Sequence, residues 1–90
     1  MKIEIRKFGT HLISRPEGRD AALVIKNQFL KNFQGDSIEL DFTDVKLMTP
    51  SWLDEIYQEL LTKFKHEKII FLNTSNSSVK ASIETICDGK

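Results

Sequence analysis

The stretch LDFTDVKLMTPSWLDE, residues 40–55, decides the fold of this chain. Its first residues complete an alternation of apolar and acidic side chains that predicts a half-buried strand over residues 37–42. Residues 49–51, Thr-Pro-Ser, then precede the most regular amphipathic pattern in the sequence, which predicts a helix over residues 52–64. Hydroxyls at a helix start can cap the helix, bind an anion or be phosphorylated. The segment therefore predicts a strand that leads into a hydroxyl-bearing helix start.

Three other segments have patterns that predict strands. Residues 2–8 alternate between apolar and charged side chains, as a half-buried strand does. The continuous apolar run within residues 68–72 is typical of a strand covered on both faces. Residues 11–13 predict a shorter strand, which could return along the first one as an antiparallel hairpin at the edge of the sheet.

Two further helices are predicted from apolar residues at helical spacing. The first covers residues 19–33, after Pro16 and Gly18, which are expected to break the chain. Gly35 is expected to end this helix in the left-handed conformation. The last helix is expected to follow the polar loop at residues 73–78.

Strands alternate with helices along the chain, which indicates parallel crossovers and an α/β layer structure. We expect one domain over residues 1–90, since this length supports one modest core. Its sheet should be small, mostly parallel or mixed, with about four strands and with three helices packed against it. Residues 88–90 are expected to be frayed.

Composition narrows the classes of function. Thirteen basic residues balance thirteen acidic ones, so the chain lacks the positive field that attracts nucleic acid or anionic membranes. No apolar run approaches the roughly 20 residues of a membrane span or resembles a signal peptide, so we expect a cytoplasmic protein. The single cysteine, Cys87, excludes an internal disulfide and is expected to pack as a small apolar residue.

Residues 40–55 carry a family resemblance. They are similar to the signature of STAS domains, the modules of bacterial anti-sigma factor antagonists, in which a strand ending in Asp leads into Asp-Ser-Ser-Gly at a helix start. More closely, these residues, together with the Ser14-Arg15 pair before the first helix, resemble a compact STAS-like domain family of unknown function found widely in prokaryotes. The resemblance covers residues 9–86 and implies a STAS-like α/β fold with a regulatory role.

The resemblance also implies a site. In the antagonists, a partner kinase that is also the anti-sigma factor phosphorylates the first serine of the motif. Aligning Asp41 with the strand-terminal Asp places Pro50 on that serine and Ser51 on the second serine. Thr49 and Trp52 then fall on the flanking Asp and Gly. Since proline has no hydroxyl, phosphorylation is expected at Thr49 or Ser51.

Each residue at this helix start has two interpretations. Thr49 and Ser51 either cap the helix or face a partner, and Trp52 either packs in the core or anchors an interface. Ser14 and Arg15 either contact an anion or a partner carboxylate, or lie in a surface turn. On the second interpretation, the partner-binding or regulatory edge consists of Thr49, Pro50, Ser51, Trp52, Asp54 and Glu55.

The acidic residues do not have the spacing of a metal site. Asp44 suits a turn, and Asp54 and Glu55 suit the positive end of a helix. His11 and His66 each stand apart from other ligand types in the sequence. We therefore expect no metal and no cofactor.

The patterns favour a non-catalytic regulatory module over an enzyme, since no nucleophile has a base at suggestive spacing. The resemblance implies docking on a GHKL-type ATPase or serine kinase through the start of the second helix. The alternative is a small-ligand or nucleotide sensor that binds at the carboxyl ends of the strands, near Thr43, Asp44 and residues 73–78. The oligomeric state is left open.

Overall fold

The main sheet has three strands, all parallel. A computed structural model describes residues 1–87, with β1 at Lys2–Glu4, β3 at Ile38–Asp41 and β5 at Ile69–Leu72. The order in space is β1-β3-β5, so β3 is the central strand. The three predicted strands are confirmed, but the first is shorter than predicted. After β1 the chain forms a short 3-10 turn, Ile5–Phe8, which keeps Ile5 fully buried without extended backbone.

A second, two-stranded sheet lies beside the first. It pairs β2, His11–Leu12, with β4, Leu47–Met48, and the pairing is parallel. The predicted antiparallel hairpin is therefore wrong, because the 3-10 turn and Gly9 (φ 130°) separate β2 from β1. Sequence reasoning missed β4, since two residues are too few to show an alternation.

Three helices follow the strands. They are α1, Arg15–Val24, which continues as a π-helix over Ile25–Leu30; α2, Pro50–Leu61; and α3, Ser77–Cys87. Helix α1 begins four residues before the predicted start, because a proline in the first turn lacks an N–H that would be unpaired there anyway. The expected left-handed glycine at position 35 is also wrong, since among residues 1–87 the positive φ angles lie at Gly9, Asp44 and Asn73.

The helices pack against one another and against one face of the main sheet. Helices α1 and α2 come so close at Gly18 that a Cβ atom there would lie 2.6 Å from the carbonyl oxygen of Trp52. The core between helices and strands includes fully buried isoleucines and leucines from every layer, such as Ile3, Leu40 and Ile56. Cys87 is half-buried and packs against this core, as predicted.

Side chains of α3 close the outer edge of β4. The Ser78 hydroxyl accepts a hydrogen bond from Met48 N at 3.0 Å, and the Ser82 hydroxyl donates to Met48 O at 3.2 Å. The Asn76 side chain accepts from Ser78 N and Val79 N, which caps α3, and donates to Lys46 O. Helix α3 is thus attached to β4 by polar contacts as well as by packing.

The architecture is the predicted α/β class with three helices and mostly parallel strands. The main sheet has three strands where about four were expected, and the remaining two form the small sheet. Within residues 1–87 no helix has the length and apolar character needed to cross a membrane. The expected fraying of residues 88–90 lies outside the described residues.

Candidate functional site

The small sheet brings the starts of two helices together. Strand β2 leads into α1 and β4 leads into α2, and the two strands are paired side by side in parallel. The pairing extends past the strand ends, where Thr49 N donates to Leu12 O at 3.0 Å and the Thr49 hydroxyl donates to Ile13 O at 2.5 Å. The N-termini of α1 and α2 are therefore neighbours, although more than 30 residues separate them in the chain.

Hydroxyl side chains cap both helices. Ser14 Oγ accepts from Glu17 N at 3.3 Å, and Thr49 Oγ1 accepts from Trp52 N at 3.4 Å. The capping interpretation is thus confirmed for Thr49, and Ser14 caps α1 although no cap was predicted there. The Thr49 hydroxyl is used twice within the fold, whereas Ser51 is half-buried in the first turn and makes no side-chain hydrogen bond with the described residues. Ser51 is therefore the more available of the two predicted phosphorylation sites.

Charged side chains bridge the two helix starts. Arg15 Nη1 lies 3.1 Å from Asp54 Oδ2 and 2.7 Å from Glu55 Oε2, and Arg19 Nε lies 3.5 Å from Glu55 Oε1. Hydrogen bonds to Glu55 and then to Asp54 raise the pKa of Arg15. These side chains are partly exposed, so their pairing contributes little to stability. The structure thus places Arg15, Asp54 and Glu55 in one surface cluster.

Trp52 belongs to the core. Its side chain is 1% exposed, and its ring centroid lies 6.3 Å from that of Phe8. The alternative in which Trp52 anchors an interface is therefore wrong, and the core alternative is confirmed. Pro50 occupies the first turn of α2, half-buried, as its position after Thr49 predicts.

Two exposed apolar side chains, one before each of the two helix starts, were missed from the sequence. Ile13 is 48% exposed and Leu47 is 40% exposed. In the small sheet Leu12 and Met48 are buried while His11 and Leu47 are exposed, so alternation puts Leu47 and Ile13 on the outward face. The sequence signal for this exposure was the position of Ile13 directly after Leu12, since neighbouring residues of a strand point to opposite faces. We give the name helix-start surface to the exposed and partly exposed side chains at and just before the two helix starts: Ile13, Arg15, Leu47, Ser51, Asp54 and Glu55.

A second polar cluster lies at the carboxyl ends of the main strands, where the alternative ligand site was predicted. Asp41 Oδ1 accepts from Thr43 N at 3.0 Å, from the Thr43 hydroxyl at 2.6 Å and from Asn73 Nδ2 at 2.8 Å. Lys2 Nζ lies 3.8 Å from the other oxygen, Oδ2. The Asp41 carboxylate thus holds the turn after β3 and ties it to the end of β5.

An open cavity of about 240 Å³ adjoins this cluster, and it is lined by Lys2, Glu4, Arg6, Asp41 and Thr43. Arg6 is paired with Glu4 at 2.9 Å and with Asp44 at 2.8 Å, so its charge is already balanced. Within residues 1–87 no three histidine, cysteine, aspartate or glutamate side chains are grouped in a way that could hold a metal ion.

Comparison with known protein families gives a match over residues 21–79 to a family described as a STAS-like domain of unknown function. The chain belongs to this STAS-like family. The resemblance inferred from residues 40–55 is therefore confirmed. No curated protein and no solved structure matches the chain. The match runs from α1 into α3 and includes the start of α2, whereas Ser14 and Arg15 precede it.

We predict an acid-dependent loss of stability of this STAS-like domain that depends on Asp41. Hydrogen bonds from the Thr43 hydroxyl and then from Asn73 lower the pKa of Asp41 from 3.8 to about 2. A lowered pKa stabilises the folded state above pH 4, and this contribution is lost as the pH falls through about 2. Allowing for solvent screening, the free energy of unfolding should fall by about 1–2 kcal/mol as Asp41 becomes protonated.

Urea denaturation at a series of pH values would measure this loss. Asp41→Asn should reduce the change in the free energy of unfolding between pH 4 and pH 2. Thr43→Val, which removes the hydroxyl donor, should reduce this change in part. An Asp41→Asn variant with the same acid dependence as the parent chain would contradict the assignment.

Proposed function

We propose that this domain is a non-catalytic regulatory module that docks on a protein partner through the helix-start surface. The observation that supports the proposal is the side-by-side arrangement of the α1 and α2 starts. Each helix start follows an exposed apolar side chain, Ile13 before α1 and Leu47 before α2, and the two helices carry the partly exposed charges of Arg15, Asp54 and Glu55. An apolar centre with a polar rim is the usual composition of a protein interface.

The proposed partner is a GHKL-type ATPase or a serine kinase. This class follows from the similarity to anti-sigma factor antagonists, which bind such proteins. Docking would act by steric exclusion, because a partner surface occupied by the domain is closed to other targets. The surface carries both signs of charge within a few ångströms, which favours a partner with charges of both signs placed in a matching register.

A charge change at Ser51 would act on this surface directly. Ser51 precedes Asp54 by three residues and Glu55 by four, so the three side chains lie on one side of α2. A phosphate on Ser51 would repel both carboxylates and would attract Arg15, which now pairs with them. Phosphorylation would thereby rearrange the charged rim without disturbing the Thr49 cap.

We expect Ser51→Asp to weaken partner binding and to leave the fold intact. The added charge is favourable toward the helix dipole by about 0.3–1 kcal/mol, and repulsion from Asp54 and Glu55 offsets about 0.2–0.5 kcal/mol of this. The free energy of unfolding should thus change by less than about 1 kcal/mol. Thermal melts would measure stability, and calorimetric titration with an ATPase encoded beside the gene would measure binding.

Ser37→Asp is the matched control for this experiment. Ser37 is half-buried like Ser51, and it follows Asp36, whose carboxylate lies 4.0 Å from Lys68 Nζ beyond the C-terminal end of α2. The same charge change there should leave binding unchanged. Equal binding of the Ser51→Asp and parent chains to a confirmed partner would show that Ser51 takes no part in recognition. A phosphate mapped to residues 75–78 would place the modification elsewhere.

The alternative function is a small-ligand or nucleotide sensor at the carboxyl ends of the main strands. The cavity lined by Lys2 and Arg6 is the observation that favours it. The pairing of Arg6 with Glu4 and Asp44 weighs against a free anion site there. Titration of nucleotides followed by a change in melting temperature would separate this function from docking.

A further inference from the structure

The strands of this fold differ in how their outer edges are protected. An unpaired strand edge offers backbone N–H and C=O groups to any other strand, and proteins block it with charges, short strands or covering side chains. The edge of β4 is covered by the hydroxyls of Ser78 and Ser82. Strand β1 carries Lys2 and Glu4 and ends after three residues. Strand β2 has only two residues.

Strand β5 has none of these protections. Its four residues, Ile-Ile-Phe-Leu, carry no charge and no proline, and Ile70 is 41% exposed. It is paired with β3 on one side, and within residues 1–87 no strand pairs with its other side. This edge is therefore open and apolar.

The hydrogen bonds show which backbone groups face outward. Phe42 N donates to Leu72 O, so Leu72 directs its backbone groups toward β3, and so does Ile70 two residues earlier. Ile69 and Phe71 then direct theirs to the open edge. Ile69 N already donates to His66 O within the preceding 3-10 turn. The N–H and C=O of Phe71 and the C=O of Ile69 are left to form bonds.

We propose that two copies of this chain pair through β5 in antiparallel orientation, with the two-fold axis between the Phe71 residues. In this register the N–H of each Phe71 donates to the C=O of the other Phe71. The N–H of Asn73, the next residue with outward parity, donates to the C=O of Ile69 in the second copy. Every outward group identified above is thereby paired, and the three-stranded sheets become one six-stranded sheet.

Side chains fit the same register. Ile70 of one copy lies directly opposite Leu72 of the other, so the exposed Ile70 is covered by an apolar neighbour at both ends of the pair. The cationic end of β5, with Lys65 and Lys68, lies beside the uncharged residues 73–76 of the second copy. A parallel pair would set Lys68 against Lys68. Charge and hydrogen bonding thus both favour an antiparallel second copy.

Light scattering coupled to size exclusion would test the pairing. The parent chain should approach twice the 10.4 kDa chain mass as its concentration rises. Ile70→Lys should remain at the monomer mass, since lysine on an edge strand opposes pairing. Leu23→Lys is the matched control, because Leu23 is 49% exposed on α1, and it should dimerise like the parent. A monomeric parent chain, or a dimer that persists in Ile70→Lys, would overturn the proposal.

Disulfide cross-linking would test the register without relying on a destabilising charge. In a Cys87→Ser background, the double variant Ile70→Cys/Leu72→Cys should form a covalent dimer under mild oxidation, since opposed residues lie about 4.5–5.5 Å apart. Ile70→Cys by itself should not, because the two copies of position 70 are diagonal, about 7–8 Å apart. Cross-linking by the single variant and not by the double one would contradict the Phe71-centred register.

Discussion

Trp52→Ala should lower the free energy of unfolding by about 3–5 kcal/mol, the largest effect we expect from one substitution. The Trp52 side chain is 1% exposed and its ring packs against that of Phe8, at 6.3 Å between centroids, while the backbone of Trp52 lies close to Gly18 of α1. Its removal leaves a cavity in the buried core, which the surrounding side chains fill only in part. The free energy of unfolding of a domain of this size is small, so a loss of this magnitude should leave part of the population unfolded at room temperature.

Urea denaturation followed by circular dichroism would measure the effect of Trp52→Ala, with Ile13→Ala as its control. Ile13 is 48% exposed, so its truncation should change stability by less than about 0.5 kcal/mol. The two variants also distinguish a core residue from an interface residue. Trp52→Ala should lower stability, whereas Ile13→Ala should weaken partner binding. A Trp52→Ala domain as stable as the parent chain would show that the indole is not a core residue.

Gly18→Val should be the next most damaging change. Replacing a glycine inside a helix normally stabilises it by about 0.5–1 kcal/mol per added Cβ. At Gly18 the sign should reverse, because a Cβ would lie 2.6 Å from Trp52 O and 3.0 Å from Trp52 Cα. These are backbone atoms of α2, so the two helices must move apart. We expect a loss at the upper end of about 1–3 kcal/mol for valine and a smaller loss for alanine.

Gly35→Ala is the control for Gly18→Val. A Cβ at Gly35 would meet the Phe33 ring, whose side chain can turn away, so the loss there should be smaller than at Gly18. Melting curves of Gly18→Ala, Gly18→Val and Gly35→Ala would rank the three variants by their loss of stability. A Gly18→Ala chain more stable than the parent would contradict this prediction. It would mean that the added Cβ has room beside Trp52 O, so that α1 and α2 are not in close contact at this point.

The strands and helices with clear periodicity were predictable, and so was the Thr49-Pro50 start of α2. The start of α1 was misplaced because Pro16 was taken as a break, whereas a helix accepts proline in its first turn. Strand β4 exists because β2 lies beside it and α3 covers its edge, and neither partner is near it in the sequence. Local patterns carry no information about such pairings.

The candidate site was predictable in part. Residues 49–55 were recognised as a helix start, and Arg15 was suspected from its place before α1. Their meeting was not predictable, because the Arg15 contacts with Asp54 and Glu55 span about 40 residues of chain. The close approach of α1 to the Trp52 backbone depends on the absence of a side chain at Gly18, which is a property of the α1–α2 contact rather than of either helix.

The all-parallel pairing of both sheets has a consequence for how the chain folds. Each strand pair joins segments more than 30 residues apart, so no hairpin forms first to nucleate either sheet. Long loops must close before any strand pair is formed, and such topologies fold more slowly than helical bundles of equal length. During synthesis β1 can pair only after β3 has been made, and the second edge of β3 is paired only after β5 has been made. The apolar strand Ile69–Leu72 therefore emerges last and completes the main sheet in a late step.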